Sequence, residues 1–293
     1  AMDLLQPGES IVKPEQVLTQ RQSKNWLPLM EGKFITNFSC RNSSFRECSR
    51  DEILKGSSKK IELDAKGLAV EPAMPRWWMK ASDVNKRMLQ LGIKTTWMLG
   101  FCDVTNAENQ RTALCSFLPA TAAAHTLWIF TGELTFSYAC MICACINSLA
   151  FDYVAKRRVS SRHLTKAIFL QLPMLPLGFG KFECPWGHIS LENWITSRIA
   201  LIYSNTKEID FPVDNVVQET DLTPCVAKAE IDACLLAIFL ANKERHFDKP
   251  KLDSGLLEKA RSEQVPYILS SFNTLKEAEI KLHGEFRSKR LVL

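Results

Sequence analysis

The sequence lacks the short motifs that mark the commonest nucleotide-binding and hydrolytic sites. It contains no Gly-Lys-Ser or Gly-Lys-Thr phosphate loop and no Gly-x-Ser-x-Gly nucleophile turn, which argues against a P-loop nucleotidase and an α/β-hydrolase. It has no internal repeat or low-complexity tract. Its first residues also lack the basic and apolar segments of a secretory signal peptide. These absences predict a non-repetitive chain that stays in the cytoplasm.

The ten cysteines do not follow the regular spacing of a disulfide scaffold. Several lie in apolar stretches, among them Cys140, Cys143 and Cys145, and Cys184 stands four residues before His188. Such residues could hold a zinc ion if their geometry converged. Because the first three are embedded among Ala and Ile residues, we expect thiols of the core, no metal site and a reducing compartment.

The length and the charge distribution point to a globular chain with an anionic partner. With 293 residues, of which 46% are hydrophobic and 24% charged, the chain can form one or two domains with a large core. Residues 1–200 carry 24 Lys and Arg against 17 Asp and Glu, whereas residues 201–293 carry 13 against 15. The basic excess therefore lies in the first part of the chain, which suits an acidic ligand there.

Apolar periodicity and turn residues predict an α+β fold, in which a small twisted sheet with flanking helices precedes a helical C-terminal segment. Residues 39–72 show little periodicity, so a long loop is expected there. Ser82 is the predicted N-cap of a helix that stops at Gly92, and the last long helix should break near Pro266. The predicted strands are 26–38, 94–102, 111–118 and 125–130, and the predicted helices are 82–91, 134–156, 190–204, 224–242 and 254–282.

The most apolar stretch, residues 134–155, is long enough to span a bilayer. It contains Asn147, Ser148 and Asp152, and it is followed by the basic run Lys156-Arg157-Arg158. Polar and ionisable residues are costly inside a membrane. We therefore expect one long buried helix and no membrane partner.

A set of sequence blocks runs in one order from residue 28 to the last residue. The blocks are Pro28-Leu-Met-Glu31-Gly32-Lys33-Phe-Ile, Pro75-Arg76-Trp77-Trp78, Asp103–Thr112, Asn147–Pro176, Tyr267–Phe272 and Gly284–Leu293. Together they resemble the C-terminal half of adenine-N6 DNA methyltransferases of the fused, type IIG-like kind, including those of phage-defence systems such as DISARM. The chain departs from the family at Gln110, where Glu is usual, and at Asn273, where Pro is usual.

The resemblance implies a linker over residues 1–25, a target recognition domain over 26–180 and a helical C-terminal segment over 181–293. It implies double-stranded DNA as the partner, together with a methyltransferase domain that uses S-adenosylmethionine. That domain needs a Gly-containing cofactor loop and an Asn/Asp-Pro-Pro-Tyr/Phe motif, and neither occurs in this sequence. With the opening Ala1-Met2, this indicates the recognition half of a longer enzyme. It would have no catalysis or cofactor of its own, and its late helices would tend to self-associate.

The predicted DNA-binding residues come from the blocks around residues 109, 160 and 76. Arg, Asn and Gln can read base edges through paired hydrogen bonds, and Lys, Arg and Ser can hold phosphates. For Arg111 a fold-fixing or phosphate-binding role is favoured over base reading, because the family shares this block although its members should recognise different sequences. The predicted DNA-binding residues are Arg111, Asn109, Lys156, Arg157, Arg158, Ser161, Arg162 and Arg76, and no catalytic or metal-binding residue is predicted.

Two other functions stay open as alternatives. A metal-dependent nuclease would use Glu62, Asp64 and Lys66, or else Glu279 and Lys281, although both sets lie in polar segments where such triplets arise by chance. A protein-interaction subunit of a defence complex would use the basic face only to dock a partner. DNA recognition remains the favoured function.

Overall fold

The computed structural model of the chain describes residues 2–3, 25–64, 67–176, 178–184, 189–212, 222–241 and 258–293. Two compact units are formed. Unit 1 comprises residues 1–103, 115–134 and 205–212, and unit 2 comprises residues 104–114, 135–204 and 213–293. These divisions differ from the predicted boundary at residue 180, because each unit is assembled from segments that are distant in sequence. Most of the predicted linker, residues 4–24, lies outside the described residues.

The described residues of unit 1 form two small sheets, a hairpin and two helices. The strands are β1 (Met2–Asp3), β2 (Trp26–Met30), β3 (Ser43–Ser44), β4 (Lys59–Lys60), β5 (Trp77–Lys80), β6 (Trp97–Cys102), β7 (Cys115–Pro119), β8 (Ala122–Ala123) and β9 (Leu127–Ile129). One sheet has the strand order β1-β5-β2-β8, and the other is an antiparallel sheet with the order β7-β6-β9.

The predicted antiparallel sheet of three strands is confirmed. Its central strand β6 is buried along its whole length, because β7 and β9 flank it on both edges and apolar side chains cover both faces. Leu99 is paired with Phe117, and both side chains are fully inaccessible to solvent. The strands are shorter than predicted, since β7 begins at Cys115 and leaves Arg111 in the preceding loop.

The predicted strand over 26–38 is wrong beyond Met30, where β2 ends. Residues Gly32–Phe34 form a 3-10 turn instead. A Cβ atom at Gly32 would lie only 2.7 Å from the carbonyl oxygen of Thr126 and 2.8 Å from Cys102 Sγ. The close approach of these backbones requires glycine at this turn.

The predicted long loop over 39–72 is also wrong, because it contains the hairpin β3–β4 and helix α1 (Arg50–Lys55). Ser49 and Glu52 form a capping box: Glu52 N–H donates to Ser49 Oγ, and Ser49 N–H donates to the Glu52 carboxylate. Gly56 then ends the helix in the left-handed conformation. These are local sequence signals for a helix. The segment was nevertheless predicted to be a loop, because its composition is polar.

Helix α2 (Ala81–Gln90) is present as predicted, but its first residue differs. Lys80 takes the N-cap position and gives no side-chain hydrogen bond, so the predicted cap at Ser82 is wrong. The predicted stop is confirmed, because Gly92 has a φ of +72° and its N–H donates to the Leu89 carbonyl.

In the described residues of unit 2, the regular secondary structure is helical. The helices are α3 (Phe136–Asn147), α4 (Leu149–Arg158), α5 (Lys166–Phe169), α6 (Leu191–Ile202), α7 (Pro224–Ala241), α8 (Val265–Ser270), α9 (Asn273–His283) and α10 (Arg287–Val292). The helices predicted at 190–204 and 224–242 are confirmed as α6 and α7. A 3-10 turn lies at Phe179–Lys181 and a π-helical turn at Ala260–Gln264.

The single helix predicted over 134–156 is wrong, since α3 and α4 are separate helices whose axes differ by 56°. Ser148 is extended at the junction; its hydroxyl donates to the Cys145 carbonyl and accepts from Phe151 N–H. The N–H of Leu149 donates to the Asp232 carboxylate of α7 at 2.7 Å. Because these partners satisfy the free groups of both helix ends, the break is stable in a buried setting.

The C-terminal helices enclose an apolar cluster with α4 and α7. Pro266 lies in the first turn of α8, where no backbone N–H is required; the interruption of the helical segment falls instead at Ser271–Phe272. The buried members of the cluster are Leu149, Ala150, Leu236, Val265, Ile268, Leu269, Phe272 and Leu275.

The α+β fold with a helical C-terminal segment is therefore confirmed. Among the residues that the structure describes, no single helix is long and apolar enough to cross a membrane. All ten cysteines are free thiols, and nine of them are buried. Burial raises the pKa of Cys145, in α3, to about 12, as expected for a thiol within a core.

Candidate nucleic-acid interface

The 104–112 loop, which contains the predicted residues Asn109 and Arg111, is closed by its own hydrogen bonds. The hydroxyl of Thr105 donates to the carbonyl of Thr112 at 2.6 Å, and the hydroxyl of Thr112 donates to the carbonyl of Asn106 at 3.3 Å. Both threonines are buried, whereas Asn106 and residues 108–110 are exposed. The loop thus exposes a polar tip, residues 106–110, above a buried base that is closed by Thr105 and Thr112.

Helix α4 anchors that base through Asp152. One carboxylate oxygen, Oδ1, accepts the N–H groups of Thr112 and Ala113 at 2.8 and 2.7 Å. The other oxygen has no hydrogen-bond partner within the described ranges. Burial raises the pKa of Asp152, while the nearby Arg111 guanidinium and the two N–H groups act in the opposite direction. The carboxylate therefore stabilises the loop at the expense of its own hydration.

Lys156, one helical turn later, holds the tip itself. Its ammonium donates to the carbonyl of Ala107 at 3.0 Å and also to the carbonyl of Asn109. It also lies 5.4 Å from the ring centroid of Phe272. Loss of hydration lowers the pKa of Lys156. The structure thus engages Lys156 in positioning the tip, a role that its sequence context did not indicate.

Arg111 is held inside unit 2 by α7. Its Nη2 donates to Asp232 Oδ2 at 3.0 Å, and the side chains are only 11% and 7% exposed. Asp232 also accepts the N–H of Leu149, and Arg111 lies over the ring of Phe272 at 5.9 Å. This geometry matches a fold-fixing role for Arg111, which was one of the two roles favoured from the sequence, the other being phosphate binding.

The last two residues of α4 and the segment up to the first residue of α5 form an exposed basic turn, defined here as residues 157–166. It contains no Asp or Glu. Its backbone is joined to the loop, since Thr105 N–H donates to the Arg162 carbonyl at 3.0 Å and Val104 is bridged to His163. The exposed residues of the basic turn are Arg157, Arg158, Ser160, Ser161, Arg162, His163, Thr165 and Lys166.

Arg157 differs from the other cations of the turn because it is stacked. Its guanidinium carbon lies 3.5 Å from the ring centroid of Tyr153, and its Nη1 donates to the Tyr153 carbonyl at 3.1 Å. Burial raises the pKa of Tyr153, and the neighbouring phenol of Tyr267 adds to this effect. An aromatic pair therefore lies at the start of the basic turn.

Arg76 belongs to unit 1 and has an internal partner there. Its Nε and Nη2 bind the two carboxylate oxygens of Glu31, each at 3.2 Å. The guanidinium lies 5.5 Å from the ring of Phe45 and 5.4 Å from that of Trp77. Of the two adjacent tryptophans, Trp78 is buried in the core and Trp77 is half-buried. The Glu31-Gly32-Lys33 block thus packs against the Arg76 block within one unit.

Two of the three carboxylates considered for a nuclease, Asp64 and Glu279, have structural partners. Asp64 accepts the N–H of Leu68 at 2.9 Å within a turn, and Glu279 accepts the N–H and the hydroxyl of Ser288. Lys66 and His188 lie outside the described residues. Within the described ranges, no group of three or more His, Cys, Asp or Glu residues could hold a metal ion.

The sequence reasoning missed Asp152 in α4, Asp232 in α7 and Phe272 between α8 and α9, all of which contact the loop or the side chains that hold it. A signal existed for the two carboxylates, because each lies in an otherwise apolar helical stretch, where an acidic residue requires a partner. Their partners could not be predicted from the sequence, because Asp152 is 40 residues from Thr112 and Asp232 is 121 residues from Arg111.

The structure thus brings Asn109, Arg111, Lys156, Ser161 and Arg162 together in one substructure, with Arg157 and Arg158 in the same turn. It combines exposed cations and hydroxyls, which suit phosphates, with exposed amides at the loop tip, which suit base edges. No protein-family model, curated protein or solved structure matches this chain.

Proposed function

We propose that the chain is the DNA-recognition module of an S-adenosylmethionine-dependent adenine-N6 DNA methyltransferase of a restriction-modification or phage-defence system. The observation that supports this most is the connection between the basic turn and the 106–110 tip. An acid-free, exposed cationic segment is hydrogen-bonded directly to a loop with exposed amide side chains. Phosphate-binding and base-reading groups are thereby held on one rigid support.

The two parts of this surface have different tasks. Arg158, Arg162 and Lys166 neutralise phosphates of double-stranded DNA and set the position of the module on the duplex. Gln110, the residue of the tip at which the chain departs from the family, offers a paired donor and acceptor of the kind that recognises adenine in the major groove. Sequence preference then comes from the tip, and most of the affinity comes from the turn.

The methyl transfer belongs to a methyltransferase domain outside this chain, in a cytoplasmic enzyme. That domain binds S-adenosylmethionine and the target adenine, which must leave the base stack at a cost of a few kcal/mol. The present chain determines which adenine is offered, because it fixes the register of the enzyme on the duplex.

The test is a titration of duplex DNA by fluorescence anisotropy at about 50 to 200 mM salt. We expect wild-type affinity to fall steeply with salt. The triple variant R158E/R162E/K166E should lose most of the affinity, and its log–log salt slope should be shallower by about 3, because roughly one counterion is released for each phosphate contact.

The matched control is K80E/K86E/R87E, which changes charge by the same amount at exposed residues of unit 1. It should retain most of the wild-type affinity. Equal losses in the two triple variants would mean that only net charge matters. An absence of duplex binding in this chain and in the longer enzyme would overturn the proposed function.

A further inference from the structure

Two tyrosines and an arginine form an aromatic group at the start of the basic turn. Tyr267, on α8, is 66% exposed, and its phenol lies beside that of Tyr153 on α4, where it adds to the effect of burial in raising the pKa of Tyr153. Tyr153 is half-buried against the apolar cluster of unit 2 and carries Arg157 on its ring face at 3.5 Å. The group therefore combines a fixed inner ring, a stacked cation and an outer ring that faces solvent.

Neither core packing nor duplex binding accounts for the outer ring. Tyr267 contributes little to the apolar cluster, which is formed by its neighbours Val265, Ile268 and Leu269. The phosphate backbone of a duplex offers an exposed ring no partner. An unpaired nucleobase does, because every base has a π face that stacks on an aromatic side chain, and arginine strengthens such stacks.

We propose that Tyr267, with Tyr153 and Arg157, forms a stacking site for a nucleobase displaced from the DNA helix. The inference rests on the proposed function, since the basic turn would hold the phosphates on either side of that base. It assigns a ligand class to the aromatic group, namely DNA with an unpaired base, beyond the fully paired duplex.

The test compares two duplexes that carry 2-aminopurine, a fluorescent adenine analogue, either in a one-nucleotide bulge or in a base pair. Wild type should bind the bulged duplex about tenfold more tightly and quench its fluorescence, as one base–aromatic stack predicts. Tyr267→Ala should remove both the preference and the quenching. Tyr267→Phe, which keeps the ring, should retain them.

Leu282→Ala serves as the control, because Leu282 is another exposed apolar residue of the C-terminal helices, at 74% exposure; it should behave as wild type. If wild type binds both duplexes equally, or if Tyr267→Ala keeps the preference, the stacking site is refuted while the proposed function stands. If neither this chain nor the longer enzyme binds either duplex, the proposed function itself fails, and the stacking site fails with it.

Discussion

Arg111 and Asp232 form a buried ion pair across 121 residues of sequence, with Arg111 Nη2 3.0 Å from Asp232 Oδ2. The same carboxylate accepts the N–H of Leu149 at the start of α4. One acidic residue of α7 therefore fixes both the 104–112 loop and the helix that precedes the basic turn. Burial raises the pKa of Asp232, and Arg111 opposes this effect.

Arg111→Ala should destabilise unit 2 strongly. Removal of the guanidinium leaves the buried Asp232 carboxylate without its ionic partner, and such a change typically costs about 3–5 kcal/mol. Urea denaturation followed by tryptophan fluorescence measures this loss. Arg290→Ala is the control, because the Arg290–Glu285 pair lies on the surface and its removal should leave the midpoint nearly unchanged. Similar midpoints for the two variants would show that the buried pair contributes no more than the exposed one.

Asp152→Ala should cost more stability than Asp152→Asn. The alanine leaves the buried N–H groups of Thr112 and Ala113 without an acceptor, at about 1–3 kcal/mol each. The asparagine oxygen can still accept both, and its amide nitrogen takes the place of the unpartnered Oδ2. The measurement is again the free energy of unfolding. Equal losses in the two variants would contradict the anchoring role of Oδ1.

The difference in the free energy of unfolding between Asp152→Asn and wild type should also depend on pH. Burial raises the pKa of Asp152 above its ordinary value, so the folded protein binds this proton at a pH where the unfolded chain has released it. The group therefore favours folding most below its unfolded-state pKa of about 3.9, and this contribution is lost as pH rises through the raised pKa. Between acid and neutral pH, Asp152→Asn should gain stability relative to wild type. A constant difference across that range would show that the pKa is not raised.

Lys156→Met should loosen the 106–110 tip without unfolding the protein. The methionine keeps apolar contact with Phe272 but cannot donate to the carbonyls of Ala107 and Asn109. Hydrogen exchange measured by mass spectrometry should be faster in the peptide that contains the tip. Arg158→Met, at an exposed position of the same helix, should leave that exchange unchanged. If both variants exchange alike, Lys156 does not position the tip.

Gly32→Ala should destabilise unit 1 by a steric effect. The new Cβ would lie 2.7 Å from the Thr126 carbonyl oxygen, which is backbone and cannot move freely; overpacking of this kind costs about 1–3 kcal/mol. Gly284→Ala provides a contrast, because its Cβ would meet no atom within 4 Å and only the positive φ of 77° opposes it, at about 1 kcal/mol. Thermal unfolding of both variants measures the difference. A smaller effect at Gly32 than at Gly284 would rule out the clash.

Much of the architecture was predictable because it follows local patterns. The three runs of apolar residues around Trp97–Cys102 predicted the antiparallel sheet, and Gly92 correctly predicted the end of α2. Helix α1 could have been predicted as well, since Ser49, Glu52 and Gly56 carry the signals for its two ends. Helix α1 was not predicted, because the polar composition of residues 39–72 was interpreted as that of a loop.

The break at Ser148 shows why the remainder was not predictable. Within its own sequence, the apolar stretch favours one continuous helix. The break is stabilised by Asp232, which lies 83 residues further on and accepts the N–H of Leu149. No local rule connects these positions, because a buried hydrogen bond depends on which segments pack together.

The sequence by itself determined the class of fold, the places where chain direction changes and the segment that carries unopposed positive charge. Only the tertiary structure decided how each charged residue is used. Lys156 and Arg158 are close in sequence, yet the first binds loop carbonyls while the second is exposed to solvent. The physical reason is that the strength of an ionic or polar interaction depends on burial and on the partner at hand, and both are set by segments that meet only when the chain folds.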